Sequence, residues 1–284
     1  MDLRRLKTIF IVVLVIVNVL LMVYIQNIIG QDNEMKKEMR ENVSALLEKD
    51  MIYLAPKLET EDVPEAYNCY IEKMSGGNKE LVRRFLGGEY KESQKGVYEN
   101  NGKKLYVSGD EFRYENNVAE LTTKEFSERE IERLCRDEME RLGILSEIYQ
   151  FSGLNYAGEK VKAIFTAQHN NAAFFDAYIS FDVSEKGIEA FSGKNLISDF
   201  SVSGGTMRYY NINSVLPDLA ENPMLENNKR HTIVSVKHGY YIGKNTEQYR
   251  NILAIPVWQI ATDSGVILYY DARNGSYIDE SADK

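Results

Sequence analysis

The amino-acid sequence predicts a mixed α+β fold that follows a single N-terminal transmembrane helix. Three observations lead to this prediction: one uncharged apolar run near the N-terminus, several amphipathic helix patterns, and several stretches in which apolar and polar residues alternate. The 284 residues, with 44% hydrophobic and 11% aromatic content, have the composition of a globular protein. We therefore expect an extracytoplasmic part built of two or three modules.

The formal charge of −9 is unevenly distributed along the chain. Within the first 30 residues the bases Arg4, Arg5 and Lys7 outnumber the single acid, so all of the net negative charge lies further along. Proteins that bind nucleic acid present a basic surface to the phosphate backbone. We therefore expect no nucleic-acid partner.

The segment Ile9–Ile29 is the predicted transmembrane helix. Its 21 residues carry no charge, and a helix of this length covers about 31 Å, enough to cross a bilayer. A cleaved signal peptide would end in a small-x-small site, but Tyr24–Ile29 has no such pattern. The basic residues before the segment predict a cytoplasmic tail at 1–8, the span at 9–29 and an extracytoplasmic C-terminal domain. The chain is thus expected to be a single-pass protein of the cell membrane.

Asn18, near the middle of this span, is the candidate contact with a partner inside the bilayer. A polar side chain in hydrocarbon gains by hydrogen bonding to a neighbouring helix, by about 0.6 to 2 kcal/mol. The alternative is that the span tolerates one asparagine without using it. The predicted partner-binding site therefore consists of Asn18 and the helix Ile9–Ile29.

Residues 30–64 are expected to form a juxtamembrane helix and a linker. Apolar residues recur every three to four positions between Asp32 and Asp50, which predicts an amphipathic helix. This helix could pair with the juxtamembrane helix of another membrane protein or pack on its own domain. Pro56 and Pro64 mark the linker that follows.

Three modules of one plan, a short helix followed by antiparallel strands, are expected at 65–120, 121–200 and 201–284. In the first, a helix with Leu81 and Phe85 on its apolar face should stop at Gly87. Strands should then lie around Val97 and at Lys103–Val107, joined by an Asn-Gly turn.

The second module has the clearest helix start in the sequence. Ser127 and Glu130 have the spacing of a capping box, and Phe126 with Ile131 that of a hydrophobic staple. The helix should run to about Leu142. The expected strands are Val161–Gln168, Phe174–Val183 and Ile188–Phe191, and in the second of these apolar residues alternate with Asp176, Ser180 and Asp182 as in a half-buried strand.

The third module should begin with a short helix near Asn213 or Ser214. The strands expected after it are Thr232–Ile242, Ile252–Ile260 and Val266–Tyr270, with a further hairpin into Tyr277 and Ile278. Pro256 removes a ladder donor, which predicts that its strand lies at an edge or is bulged.

A search for catalytic chemistry favours a protein that is not an enzyme. The histidines His169, His231 and His238 belong to no compact metal-ligand motif, and no nucleophile or phosphate-binding motif accompanies them. Asp110–Glu111 and Asp199 could be considered as an acid–base set for glycan cleavage, but a solvated acidic surface explains them more simply. We predict no catalytic residue, no metal and no cofactor.

The two cysteines and the single tryptophan are predicted to lie in the core. Cys69 alternates with Tyr67 and Ile71, and Cys135 lies in an apolar helix stripe, which favours two buried thiols over a disulfide. Trp258 alternates with apolar residues in a strand and should be buried as well.

Several segments resemble a known family. The run Trp258–Gly265 followed by Tyr269–Gly275 resembles the hairpin that ends a PepSY-like module, and the modules are accordingly expected to be PepSY-like. The charged start Asp2–Phe10 and the strand Phe174–Phe181 resemble the YycI family. This resemblance implies a non-enzymatic regulator that binds the sensor histidine kinase WalK (YycG) together with the sister protein YycH and controls cell-wall homeostasis.

A second hypothesis belongs to another functional class. A membrane-tethered, PepSY-like inhibitor or chaperone of a secreted hydrolase would have the same architecture. The two hypotheses differ in where affinity lies, because a kinase regulator depends on its transmembrane helix whereas an inhibitor acts through its isolated domain. A third possibility, a wall-active enzyme, would need a polar cleft that the sequence does not indicate.

Overall fold

The computed structural model describes residues 13–15, 17–22, 37–56, 58, 66–74, 77–117, 127–157, 160–207, 209–226, 229–243 and 252–279. These residues form two compact units. The first unit comprises the described residues of Met1–Leu58, Ile212–Val234 and Thr262–Val266, and the second those of Glu59–Asn211, Ser235–Ala261 and Ile267–Lys284. Each unit is assembled from separate stretches of sequence. The consecutive modules at 65–120, 121–200 and 201–284 stay a prediction.

Part of the predicted N-terminal span is helical. Residues 13–15 and 17–22 adopt helical geometry, and the rest of Ile9–Ile29 lies outside the described residues. In the portion of the chain that the structure covers, no helix is both long and apolar enough to cross a membrane.

Four further helices have local sequence causes. They are α1 (37–47, extended by a 3-10 turn at Glu48–Asp50), α2 (Gly77–Leu86), α3 (Glu128–Arg141) and α4 (Ile212–Val215, followed by a 3-10 helix at Leu216–Glu221). The predicted cap of α3 is confirmed, because the Ser127 hydroxyl accepts a hydrogen bond from the Glu130 amide at 3.3 Å. Phe126, the other half of the predicted staple, lies outside the described residues. Helix α2 ends at Gly87, whose φ of 66° is the left-handed geometry that favours glycine.

Most of the described chain is β-strand, which confirms a mixed α+β class. The strands are β1 (Ile52–Leu54), β2 (Ala66–Lys73), β3 (Lys91–Gln94), β4 (Val97–Asn100), β5 (Lys103–Ser108), β6 (Glu111–Asn116), β7 (Tyr149–Ala157), β8 (Lys160–His169), β9 (Ala172–Ser184), β10 (Gly187–Lys194), β11 (Ile197–Met207), β12 (His231–Tyr241), β13 (Ile252–Thr262), β14 (Ile267–Asp271) and β15 (Tyr277–Ile278). Each predicted strand corresponds to one of these strands, although Ile242 and Val266, at the ends of two predicted strands, lie one residue outside them.

The second unit contains a large mixed sheet. Its strand order is β11-β2-β13-β12-β9-β10-β6-β5-β4-β3, with β8 and β7 continuing from β9 and with β14 and β15 continuing from β13. Two of the pairs with a defined register are parallel: β12 with β9, where Tyr240 lies opposite Phe174, and β12 with β1, where Tyr53 lies opposite Thr232. The other pairs with a defined register are antiparallel. Strands that are far apart in sequence are therefore neighbours in the sheet.

An aromatic cluster lies in the core of the second unit, where the apolar side of α2 meets the sheet. The Phe85 ring of α2 lies 5.3 Å from that of Phe112 and 5.5 Å from that of Phe191. Phe191 in turn stacks on Phe181 at 5.0 Å. Aromatic pairs at such distances add about 0.5 to 1.5 kcal/mol beyond the burial of their surface. The hairpin of β5 and β6 and the strands β9 and β10 are thereby fixed to one another.

Pro256 does not lie on an edge strand, so the predicted edge position is wrong. Strand β13 is interior: Ile252–Ala254 pairs with β2, and Val257–Ala261 pairs with β14. Pro256 falls between these two paired segments, and its carbonyl accepts a hydrogen bond from the Ala272 amide at 2.8 Å. The missing N–H is tolerated because it falls where β13 changes from one partner strand to the other.

In the first unit, helix α1 packs along one face only. Val43 and Leu47 are buried, whereas Met39 and Leu46 are exposed. The Arg40 guanidinium donates to the Leu58 carbonyl at 2.8 Å and thereby fixes the helix to the start of the linker. The buried face agrees with the alternative that the helix packs on its own chain. Pairing with another membrane protein stays a prediction.

Candidate binding site

The predicted partner-binding residue Asn18 has a partner within its own helix. Its side-chain amide donates to the Leu14 carbonyl at 2.8 Å, one turn earlier. A carboxamide has two N–H donors and one oxygen that can accept twice, so this bond uses one of four possible hydrogen bonds. The remaining donor and the oxygen can serve a neighbouring helix.

The histidines have structural surroundings. His231 and His238 are both buried, and His238 lies edge-on to the rings of Tyr209, Tyr240 and Trp258. His169 lies 4.6 Å from the Phe200 ring. Among the described residues no group of histidine, cysteine or carboxylate side chains could hold a metal ion.

Burial lowers the pKa of His238 to about 4, from an ordinary value of 6.5. The folded state therefore favours the neutral imidazole, so its contribution to stability is complete above pH 6.5 and is lost as the pH falls towards 4. We expect the free energy of unfolding to drop by at most about 3 kcal/mol over this window. His238→Phe keeps an aromatic ring but removes the titrating group. The free energy of unfolding, measured by urea unfolding at a series of pH values, should therefore fall less between pH 7 and pH 4 than in the unmodified protein.

Tyr209→Phe is the matched control, because it changes the ring next to the histidine and leaves the imidazole in place. Its free energy of unfolding should depend on pH as in the unmodified protein. If His238→Phe shows the same pH dependence as the unmodified protein, the loss of stability between pH 7 and pH 4 does not come from His238.

The cysteines and the tryptophan occupy the core as predicted. Cys69 and Cys135 are free, buried thiols, and desolvation raises the pKa of both. A raised thiol pKa reduces the reactive thiolate, so neither is an activated nucleophile. Trp258 is fully buried, and its indole N–H donates to the Tyr210 carbonyl at 2.8 Å.

Two of the carboxylates in the acid–base set, Asp110 and Asp199, have hydrogen-bond partners. Asp110 accepts a hydrogen bond from the Lys73 ammonium at 2.9 Å, and the Lys73 side chain is only 7% exposed. Asp199 is exposed, and its carboxylate accepts from the Phe200 amide at 2.8 Å. Asp110 thus neutralises a buried lysine, which is a structural task.

Asp176 is a polar centre that sequence reasoning missed. The alternating pattern of β9 favours a solvent-facing carboxylate, but Asp176 is 4% exposed. It accepts hydrogen bonds from the Ile242 amide at 2.9 Å, the Gly243 amide at 2.8 Å and the Asn195 side chain at 2.9 Å. Burial raises its pKa, and the backbone donors and the charge of Lys194 act in the opposite direction. No sequence pattern indicates these donors, since they come from 19 to 67 residues away.

A groove of about 450 Å³ crosses the open face of the sheet near the turns at 95–96 and 109–110. Tyr106, Arg113 and Ser192 lie side by side on β5, β6 and β10, because each is the register partner of the next. Tyr178 on β9 lines the same groove and is 38% exposed. The lining also includes Lys95, Ser108 and Glu111.

A smaller pocket of about 50 Å³ adjoins this groove. Its lining includes Lys73, Asp110 and Asn195, and it shares Val107, Glu111 and Phe112 with the groove. The backbone amide of Val107, which lines both cavities, donates to the Gly96 carbonyl at 2.8 Å. The two cavities combine tyrosine rings, hydroxyls and charges of both signs, which is a lining suited to binding a polar ligand.

The fold of this chain is similar to that of solved protein structures. An uncharacterized protein from Eubacterium rectale has a similar structure, with 11% sequence identity and a TM-score of 0.50, over 84% of this chain and 98% of that chain. The C-terminal domain of Bacillus megaterium YpeB matches with 9% identity and a TM-score of 0.35, over 73% of this chain and 97% of that domain. No protein-family model and no curated protein sequence matches. At such identities the likeness to the Eubacterium rectale protein concerns the fold alone.

Proposed function

We propose that this chain is a membrane-anchored, non-enzymatic regulator of the YycI type with PepSY-like modules. Its partners are a sensor histidine kinase of the WalK (YycG) type and a YycH-like accessory protein, and its output is control of cell-wall homeostasis. The transmembrane helix Ile9–Ile29 anchors it in the cell membrane and carries the main contact with the kinase. The folded part lies outside the cytoplasm.

The observation that carries this proposal is the exposure of the N-terminal helical residues. All eight described apolar side chains between Val13 and Met22 are 47% to 64% exposed. Apolar side chains of this size each gain about 1.5 to 3 kcal/mol when they are fully buried, so leaving them in water costs on the order of 10 kcal/mol. A lipid bilayer or a partner helix would remove this cost. The basic residues that precede the span favour the bilayer.

Asn18 supports a contact through this helix. Its bond to Leu14 keeps the side chain on its own helix surface and leaves one donor and one acceptor for a neighbour. Within hydrocarbon such contacts contribute about 0.6 to 2 kcal/mol. That amount is enough to favour one partner helix over another.

Regulation by such a protein is a matter of binding. A sensor kinase alternates between signalling conformations, and a bound partner shifts this equilibrium only by its difference in affinity for the two states. A helix that packs beside the kinase's own transmembrane helices can bind the two signalling conformations with different affinity, because those helices connect the outside of the cell to the catalytic part.

The anchor is expected to decide capture of the kinase. Full-length protein would be co-expressed with a WalK-type kinase and pulled down from membranes. Exchange of residues 9–29 for an unrelated span of equal length should abolish capture. Asn18→Leu should weaken it roughly 3- to 30-fold, in line with the loss of one hydrogen bond in the membrane. Val19→Leu, a neighbouring apolar change, is the matched control.

If the protein with the exchanged anchor captures the kinase as well as the unmodified protein does, the proposal that the helix Ile9–Ile29 mediates the contact is wrong. Retention of a secreted hydrolase by that same exchanged protein would instead favour the inhibitor or chaperone hypothesis. The two outcomes are distinguishable because the eluate contains different proteins.

A further inference from the structure

The groove on the sheet face contains binding features that a regulator of this type does not require. Tyr106 and Tyr178 lie on β5 and β9, with β6 and β10 between them. Three strand spacings of about 4.8 Å, together with an offset of two residues along the strand because Ser192 pairs with Ser180, separate the two tyrosines by roughly 16 Å. A ligand that touches both rings must therefore be elongated, with a length of roughly two to three sugar rings.

The groove can recognise a ligand only through side chains. Backbone groups of β5, β6, β10 and β9 are used in the ladders that pair Tyr106 with Arg113, Arg113 with Ser192, and Ser192 with Ser180. An extended peptide gains affinity by adding its backbone to a free strand edge. The middle of a paired sheet offers no such edge, which disfavours a peptide.

The charges around the groove balance. The groove is lined by two basic side chains, Lys95 and Arg113, and by one acid, Glu111, and the Arg113 guanidinium is paired with a further acid, Glu115, at 2.8 Å. A polyanion would need a surplus of basic side chains, and a polycation a surplus of carboxylates. A neutral ligand fits this balance best.

The hydrogen-bonding groups match a polyhydroxylated ligand. The hydroxyls of Tyr106, Tyr178, Ser108 and Ser192 can donate and accept, while Lys95 and Arg113 donate and Glu111 accepts. Sugar hydroxyls also donate and accept, and the apolar faces of sugar rings can lie on tyrosine rings. We propose that this groove binds a neutral oligosaccharide of about three sugar rings. The site is independent of the kinase contact, since it lies on the folded part and does not involve the anchor.

The test uses the full-length chain in lauryldimethylamine oxide micelles, because this detergent has no sugar headgroup. The neutral probes are cellotriose, maltotriose and tri-N-acetylchitotriose, and the anionic probe is trigalacturonic acid. Saturation-transfer NMR reports which ligand protons touch the protein, and titration gives the dissociation constant. At least one neutral trisaccharide should bind.

Tyr178→Ala should weaken this binding about tenfold, the equivalent of about 1.4 kcal/mol. Tyr156→Ala is the matched control, because Tyr156 is 69% exposed on β7 and does not line the groove. Arg113→Ala gives a second, independent loss, and a thermal unfolding curve for each variant separates loss of binding from loss of folding. Absence of transfer to every neutral probe, equal affinity in Tyr178→Ala, or binding of the anionic probe alone would overturn the proposal.

Discussion

Replacement of Asp176 by asparagine should lower the free energy of unfolding by about 3 kcal/mol. The carboxylate accepts three hydrogen bonds, from Ile242, Gly243 and Asn195, and all three donors are N–H groups. An asparagine can offer only one acceptor oxygen, and its own amide would face a donor. At least one buried donor then loses its partner. Urea unfolding of the full-length protein, followed by circular dichroism, measures the difference.

Asp182→Asn is the matched control for this prediction. Asp182 lies on the same strand, is only partly buried, and has its nearest salt-bridge partner, Lys162, at 3.7 Å. Partly exposed ion pairs of this kind contribute less than about 1 kcal/mol. Equal losses for the two variants would show that Asp176 has no special role in holding the end of β12.

Gly239→Ala is expected to destabilise the protein by about 2 to 3 kcal/mol. A Cβ at this position would lie 2.4 Å from the Ala173 carbonyl oxygen and 2.6 Å from the Phe175 ring. The oxygen belongs to the backbone of β9, where Gly239 pairs with Ala173 in the parallel ladder, so it cannot move aside cheaply. The two strands must therefore separate. The shift in thermal midpoint and in the urea midpoint measures the effect.

Lys237→Ala serves as the comparison, because Lys237 is exposed two residues earlier on the same strand. It should change the free energy of unfolding by less than about 0.5 kcal/mol. An unchanged stability in Gly239→Ala would mean that β9 and β12 leave room for a methyl group between Gly239 and Ala173.

The helices could be predicted because their causes are local. The capping of α3 by Ser127 needs only a residue three positions further on, and the end of α2 needs only Gly87. Strands with a strong alternating pattern, such as β8 and β9, were predicted for the same reason. Strands β1, β2, β3, β6, β7 and β11 were not predicted. β1 is short and β3 contains no apolar residue, whereas β2 and β11 pair with each other from distant parts of the sequence. Strand β6, where Phe112 and Tyr114 alternate with polar residues, carries a local signal that the sequence analysis missed.

The candidate sites could not be predicted either, because they depend on residues that are far apart in sequence. Asp176 follows an alternating pattern that indicates exposure, and its burial depends on Asn195 and on the end of β12. The groove depends on the register that sets Tyr106 beside Arg113 and Arg113 beside Ser192, which no single stretch of sequence contains. The edge position predicted for Pro256 was wrong because a proline tolerates an interior strand where that strand exchanges partners.

The position of β2 between β11 and β13 has a consequence for how the chain folds. Cys69 pairs with Val202 on one side and with Ala254 on the other, and the Tyr67 amide bonds the Tyr240 hydroxyl across 173 residues of sequence. Closing such long loops costs entropy before any contact repays it, so folding should be slow compared with a protein of local contacts. During synthesis from the N-terminus, β2 emerges long before either of its neighbours. One edge of β2 must therefore stay unpaired until β11 has been synthesised, and the other edge until β13 has been synthesised.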